Sequence, residues 1–147
     1  MKFQIKHFIS AFGEHVIAKE VEDALKITLQ THPCLVTEFT VSPQVNPPEG
    51  GKPYHEWWVE FVEPPADPVG FAAALDRAMT EQNLYYQDLI EGKILQPLVV
   101  RYLPKGSFKQ YMQSIGKLGG QNKVPRLSND RVISTSLETL LKTDLKP

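Results

Sequence analysis

The sequence contains few of the residues that build covalent or metal-held structure. Its 147 residues include one cysteine, Cys34, so no internal disulfide can form. One thiol and four scattered histidines do not make a metal-binding set, and no metal site is predicted. Such sparse cysteine use is typical of cytoplasmic proteins, and we expect a cytoplasmic location.

Long apolar segments and an excess of basic residues are also missing. No run approaches the about 20 residues that a membrane span needs, and polar residues interrupt the first seven too often for a signal peptide. The net charge of -1 lacks the basic excess that non-specific nucleic-acid binding requires. We therefore predict neither a membrane nor a nucleic acid as partner. The motifs of serine hydrolases, phosphate-binding loops and zinc proteases are absent as well.

The composition that remains is that of a globular protein. A hydrophobic content of 41% over 147 residues predicts a single domain, residues 1–147, with its own core. Apolar periodicity predicts strands over residues 5–9, 34–41, 54–63 and 95–103. Helices are predicted before His32-Pro33, after Asp67-Pro68, over residues 84–90, after a capping box at Ser107 and Gln110, and after Ser128 or Asn129. The predicted fold class is α+β, a small mixed or antiparallel sheet of three to five strands with helices packed against it.

The segment from Tyr54 to Glu63 has the clearest strand pattern. His55, Trp57, Val59 and Phe61 alternate with Glu56, Trp58, Glu60 and Val62. This alternation predicts one face in the core and the other partly exposed to water. The proline-rich stretch 42–53 that precedes the segment is predicted to be a loop.

Charge is unevenly distributed along the chain. Residues 56–91 contain eight acids and one base, whereas residues 101–131 contain seven bases and one acid. A basic third beside an acidic third suggests an anion, a nucleotide phosphate or an acidic partner near the basic segment. Two solvated faces without a partner are the alternative interpretation.

The stretch from Gly119 to Arg126 stands out within the basic third. Two glycines free the backbone, Pro125 restricts it again, and Lys123 and Arg126 lie on either side of that proline. A mobile glycine pair followed by a lysine is suited to bringing a cation to a phosphate or carboxylate. A plain connector between two helices is the alternative.

Histidines and carboxylates elsewhere give weaker signals. His7 and His15 flank a predicted turn at Phe12-Gly13-Glu14, and surface roles fit them better than catalysis. His55 is predicted to be a hydrogen-bonded core residue. Glu14 is predicted either to cap a helix or to serve as a site carboxylate.

Two stretches together resemble a known family. Residues 6–17, followed by Glu20-Val21-Glu22 and Leu25, resemble the segment that opens the C-terminal domain of acyl-adenylate-forming enzymes. Gly120-Gln121-Asn122-Lys123-Val124-Pro125-Arg126 resembles the closing Gly-Gln-x-Lys-x-Pro-Arg motif of the auxin-responsive Gretchen Hagen acyl acid–amido synthetases. The resemblance covers nearly the whole chain and is to the bacterial branch of that family.

This resemblance implies the C-terminal lid of an ATP-dependent ligase, which adenylates a carboxylic acid and then joins it to an amine. ATP with Mg would serve the complete enzyme, and this domain alone would bind neither tightly. The partner would be a large N-terminal AMP-binding domain, which is absent here. By matched motif, Lys123 would be catalytic, Gln121 and Arg126 would hold the loop or contact the nucleotide, and Phe12, Gly13 and Glu14 would face the site in the other lid orientation.

One departure from the family pattern bears on completeness. Phe3-Gln4 stands where the family has a Gly-Arg hinge, so either the chain is cut at the hinge or the hinge function is lost; a cut is favoured. The alternatives to an excised lid are a free-standing binding or regulatory module and a separately encoded lid that acts in trans.

Overall fold

A computed structural model of the chain describes residues 8–117 and 123–144. Within those residues the fold has five helices, a three-stranded sheet and a short hairpin. In chain order the elements are β1 Phe8–Ile9, β2 Val16–Ile17, α1 Ala18–Thr31, β3 Leu35–Gln44, β4 Tyr54–Glu63, α2 Pro68–Gln82, α3 Leu84–Glu91, β5 Val99–Leu103, α4 Ser107–Ser114 and α5 Val132–Asp144. The predicted α+β class is confirmed.

The three-stranded sheet is mixed. Its strand order is β3-β4-β5, with β3 antiparallel and β5 parallel to the central β4. Among the described residues, strands β1 and β2 pair only with each other, through Phe8 with Ile17 and Ile9 with Val16. The central position of β4 agrees with its strong strand pattern, because residues of the central strand can pack on both faces.

Both faces of β4 are buried, so the predicted water-exposed face is wrong. One face packs against α1 and α2 in a first core that includes Trp57, Val59 and Phe61. The other face is covered by α4 and α5 in a second core built around Trp58, Leu103, Phe108, Tyr111, Met112, Val124 and Leu137. Glu56 and Glu60 are 1% and 4% exposed, and only Val62 on this face is open to solvent. The alternation in the sequence led to the wrong prediction because Glu56 and Glu60 are charged, and charged residues on one face of a strand usually indicate exposure to solvent.

Several helix boundaries follow from local signals that the sequence already contained. The carboxylate of Asp67 accepts the amide of Gly70, and Pro68 begins α2 as predicted. Helix α1 stops at Thr31, just before His32-Pro33, and buries the predicted stripe of Val21, Ala24, Leu25 and Thr28. Helix α4 ends with Gly116 at φ 74°, where the amide of Lys117 reaches back to the carbonyl of Met112.

The start of α4 depends on a residue from another element. Ser107 and Gln110 do not form the predicted capping box, and the cap residue is Gly106 in a left-handed conformation. The carboxylate of Glu60 instead accepts the amides of Gly106 and Phe108, each at 2.9 Å. A buried carboxylate on β4 thus satisfies two free N–H groups of the helix, and it is held in place by them.

Three other predicted boundaries also differ from the structure. Strand β3 continues through Pro43 to Gln44, so the loop begins later than residue 42; proline is compatible with β3 because it is the outer strand of the sheet. Strand β5 starts only at Val99. Before α5 the side chain of Asp130, rather than Ser128 or Asn129, accepts the amide of Val132.

We expect Glu60→Gln to destabilise the fold by roughly 1–3 kcal/mol, because one buried helix N–H loses its charged acceptor. Urea unfolding of the purified chain measures this difference. Glu63→Gln is the matched control, since Glu63 is exposed at the end of β4, and should change the free energy of unfolding by less than about 0.5 kcal/mol. Equal effects of the two substitutions would contradict the capping role.

Candidate functional site

The segment after Lys123 is fixed along the outer edge of β3. The hydroxyl of Thr40 donates to the carbonyl of Pro125 at 2.7 Å. The amide of Val41 donates to the carbonyl of Arg126, and the amide of Ser128 donates back to the carbonyl of Val41. Residues 125–128 therefore pair with the edge of the sheet. Sequence periodicity did not reveal this because the pairing joins segments more than 80 residues apart.

Two apolar side chains of the same segment enter the two cores. Val124 is 5% exposed and packs in the second core, while Leu127 is fully buried in the first. Lys123, immediately before Val124, is exposed and makes no hydrogen bond or ion pair among the residues that the structure describes. Gly119, Gly120 and the predicted site residue Gln121 lie outside the described residues.

Arg126 is held by contacts within the fold. Its Nε donates to the carboxylate of Glu22 on α1 at 3.1 Å, and its Nη1 donates to the carboxylate of Glu38 on β3. The guanidinium also lies 4.5 Å from the centroid of the Phe39 ring, within cation–π distance. These contacts tie Arg126 to α1 and β3, and its role in holding the loop stays a prediction. A contact with a nucleotide stays a prediction.

Of the seven basic residues between 101 and 131, the arginines and the lysines differ in their environment. Arg101 and Arg131 both pair with the buried carboxylate of Glu56, at 2.7 and 2.9 Å, and Arg126 is paired as described. The lysines are all exposed: Lys105, Lys109, Lys117 and Lys123. The positive charge that this region presents to solvent therefore comes mainly from lysines.

The second predicted site, the turn Phe12-Gly13-Glu14, connects β1 and β2. Gly13 has φ 88° and His15 has φ 47°, both in the left-handed region. For a residue with a Cβ this conformation costs on the order of 1 kcal/mol, so surrounding contacts must hold it. Phe12 packs partly against the first core, and Gly13 is exposed.

Glu14 points into the protein and is fully buried. Its Oε1 accepts the amide of Phe12 at 2.8 Å, and its Oε2 lies 2.6 Å from Nε2 of His55 on β4. The predicted hydrogen-bonded core role of His55 is confirmed. Glu14 does not cap α1, because Glu20 accepts the amide of Ile17 instead. In this conformation the Glu14 carboxylate organises the turn and has no access to solvent.

The pKa of Glu14 is lowered. Burial alone would raise the pKa of this carboxyl, but the hydrogen bond and charge of His55, with the amide of Phe12, outweigh the burial. The carboxylate form is therefore the one that fits this site.

Asn83 is a second support of the turn, and sequence reasoning gave it no role in the site. It separates α2 from α3 and is 6% exposed. Its Nδ2 donates to the carbonyls of Glu14 and His15 at 3.0 and 3.4 Å and to Glu20 Oε1 at 3.1 Å. Its Oδ1 accepts the amide of Tyr86 and caps α3. The local signal was an asparagine just before a helix, which indicates the cap but not the contact with the turn.

The two predicted site segments are linked in space. The amide of Ser10, before the turn, donates to Oδ1 of Asn129, three residues after Arg126, at 3.0 Å. Beside the turn there is also an open groove of about 350 Å³, which is lined in part by His15, Glu20 and Tyr85. The link between the segments is the Ser10–Asn129 hydrogen bond and does not involve this groove. The structure thus joins the hairpin to the segment that Arg126 anchors.

The described residues show neither a metal-binding cluster nor a membrane-spanning helix. No group of three or more His, Cys, Asp or Glu side chains is placed to hold a metal ion there. None of the helices described is long and apolar enough to span a membrane.

The fold matches part of two solved enzymes. One is described as "AtGH3.15 acyl acid amido synthetase in complex with 2,4-DB", with a TM-score of 0.70, 16% identity, and coverage of 91% of this chain and 25% of that chain. The other, "GH3.15 acyl acid amido synthetase", has the same TM-score and identity and coverage of 92% and 26%. The chain therefore has the fold of a portion of these proteins and spans about a quarter of their length. No curated protein sequence matches it.

A family model identifies the chain more specifically. The model described as the GH3 family C-terminal domain matches residues 19–132, which is well over half of the 147 residues. The chain belongs to this family. The resemblance inferred from the two motifs is confirmed at the level of the family.

We expect Arg126→Gln to loosen the segment beside β3, because it removes the cation shared by Glu22 and Glu38. Since Arg126 is about a third exposed, the loss should be about 1 kcal/mol, or roughly fivefold faster exchange of the Ser128 amide. Hydrogen exchange read by NMR measures this rate. Lys117→Gln removes an exposed charge of the same region and should leave the rate unchanged. Unaltered exchange in both variants would contradict the anchoring role.

The lowered pKa of Glu14 predicts a signed dependence of stability on pH. The folded protein holds the carboxylate more strongly than the unfolded chain does, so its contribution is present above the reference value of 4.5 and is lost as pH falls through the folded pKa. Wild type should exceed Glu14→Gln in free energy of unfolding at pH 6, and the difference should shrink below about pH 4.5. Urea unfolding from pH 6 to pH 3 measures it; a difference that grows with acid would contradict the assignment.

Proposed function

We propose that this chain is the C-terminal lid domain of an ATP-dependent ligase that joins a carboxylic acid to an amine through an acyl-adenylate. The observation that carries the proposal is an exposed Lys123 at the start of an anchored segment, in a chain of the GH3 C-terminal domain family. The described acyl acid amido synthetases of similar fold support the reaction class. Residues 1–147 would form one domain.

Lys123 would supply a positive charge during adenylation. In that step a carboxylate attacks the α-phosphate of ATP and displaces pyrophosphate, so two anions must approach each other and negative charge develops on the phosphoryl oxygens. An ammonium group between them reduces the repulsion and stabilises the transition state. The exposure of Lys123 fits this task, because a side chain already committed to an ion pair would have to break it first.

Arg126 would fix the base of the lysine segment rather than carry its chemistry. Its guanidinium contacts Glu22, Glu38 and the Phe39 ring, and the backbone after it pairs with β3. The segment would then move as part of the domain, with Lys123 at its free end. Gln121 would lie beside the nucleotide or hold the loop, as its place in the motif implies.

The turn at residues 12–14 would face the reacting groups in the second lid orientation, when the amine displaces AMP. Phe12 and Gly13 would approach the substrates, while the buried carboxylate of Glu14 keeps the turn in shape. The link from Ser10 to Asn129 supports a lid that carries both segments as one unit.

A large AMP-binding domain is the proposed partner, since the chain spans only about a quarter of the similar enzymes. ATP and Mg would serve the complete ligase and would bind mainly in that domain. Mg would neutralise phosphate charge when bound. The acid and amine would be small molecules, and the ligase would be cytoplasmic.

We expect Lys123→Ala to reduce adenylation by roughly 100- to 1,000-fold, the range for removing one positioned electrostatic donor. The measurement is ATP–pyrophosphate exchange by the ligase assembled from this chain and its AMP-binding domain. Lys123→Arg should retain part of the rate, since it keeps the charge.

The matched control is Lys117→Ala, which removes an exposed lysine from the same basic region. It should leave exchange within about twofold of wild type, because it lies outside the proposed site. Exchange that is unchanged in Lys123→Ala would contradict the assigned role. A wild-type chain that never restores exchange would favour a binding or regulatory module.

A further inference from the structure

The hairpin that carries the turn has little structure of its own. Within the part of the chain that the structure describes, its strands share two residue pairs, Phe8 with Ile17 and Ile9 with Val16. A two-stranded hairpin this short is marginal in water. Its turn also contains His15 at a positive φ of 47°, a conformation that a residue with a Cβ keeps only when neighbouring groups hold it. The position of the turn must therefore come from contacts with the rest of the domain.

The first such contact joins the turn to the centre of the sheet. Nε2 of His55 approaches Oε2 of Glu14 at 2.6 Å and must be the donor, because an ionised carboxylate can only accept; Oε1 of the same carboxylate accepts the amide of Phe12. His55 is 1% exposed, lies on the central strand β4, and has its ring centroid 5.1 Å from that of Tyr86. A buried side chain on a central strand has few alternative rotamers, so it fixes the carboxylate precisely.

The second contact is made to the backbone of the turn by Asn83, which lies between α2 and α3. Asn83 donates Nδ2–H to the carbonyls of Glu14 and His15, which belong to two consecutive peptide bonds. Its own orientation is fixed because Oδ1 accepts the amide of Tyr86. Two residues therefore hold the turn. His55 on β4 binds the side chain of Glu14, and Asn83, just before α3, binds the backbone carbonyls.

We propose that His55 and Asn83 are positioning residues for the amide-forming step, acting through the turn at residues 12–14. The inference rests on the proposed function, in which this turn faces the substrates only in the second lid orientation. Their hydrogen bonds go to the turn, Glu20 and Tyr86, whereas those of Arg126 go to Glu22, Glu38 and Phe39. Loss of either should therefore slow amide formation and leave adenylation nearly intact.

The first test uses the chain alone and reads the turn directly. Hydrogen exchange by NMR at the Phe12 amide should quicken at least tenfold in His55→Leu, which removes the donor to Glu14, and His55→Gln should restore part of the protection. Leu137→Ala is the control, because it destabilises the second core away from the turn. The Phe12 amide should stay protected in that control at matched overall stability; equal loss in both would overturn the positioning role.

The second test separates the half-reactions in the assembled ligase. With pre-formed acyl-adenylate supplied, Asn83→Ser should slow amide formation at least tenfold, while pyrophosphate exchange stays within twofold of wild type. Serine retains the cap of α3 and lacks the amide donors, so the variant remains informative if His55→Leu fails to fold. A parallel fall in both half-reactions, or no change in either, would overturn the inference. If Lys123→Ala leaves pyrophosphate exchange unchanged, the proposed function is contradicted. That result would have no bearing on hydrogen exchange at the Phe12 amide, which tests the turn alone.

Discussion

The polar side chains buried on β4 are the constraint on which the remaining structure depends. His55, Glu56 and Glu60 are each at most 4% exposed, although they lie on the central strand between two apolar cores. Burying such groups without a partner would cost several kcal/mol, so each must be matched by a group from elsewhere. His55 meets the turn at Glu14, Glu56 meets two arginines, and Glu60 meets the first amides of α4.

These pairings give the peripheral elements specific positions. Apolar packing alone would allow α4 and α5 to slide over the second face of the sheet, because hydrophobic contact is not directional. The carboxylate of Glu60 fixes where α4 begins, and the pair between Glu56 and Arg131 fixes the residue that precedes α5. The same principle applies on the opposite face, where His55 and Asn83 place a hairpin that has little pairing of its own. Both predicted site segments are thus hydrogen-bonded to strands of the same sheet, residues 125–128 to β3 and Glu14 to β4.

Local signals in the sequence predicted the elements well and their mutual contacts poorly. The cap at Asp67, the stop before Pro33, the stripe along α1 and the limits of β4 were all correct, because each depends on residues close together in the chain. The exposed face of β4 and the capping box at Ser107 were wrong for one shared reason. In both cases Glu60 looked like a surface residue, and its partner amides lie 46 and 48 residues further along the chain.

The sequence by itself determined the family and the α+β class, since motifs and periodicity are local properties of the chain, and it predicted two candidate site segments. The tertiary structure alone decided that Arg126 is held by Glu22 and Glu38, that Glu14 is turned inward, and that Asn83 supports the turn. The physical reason is that the type of a charged or polar residue does not show whether its side chain faces water or a partner inside the protein. Only folding brings distant groups close enough to replace the water that each of them loses.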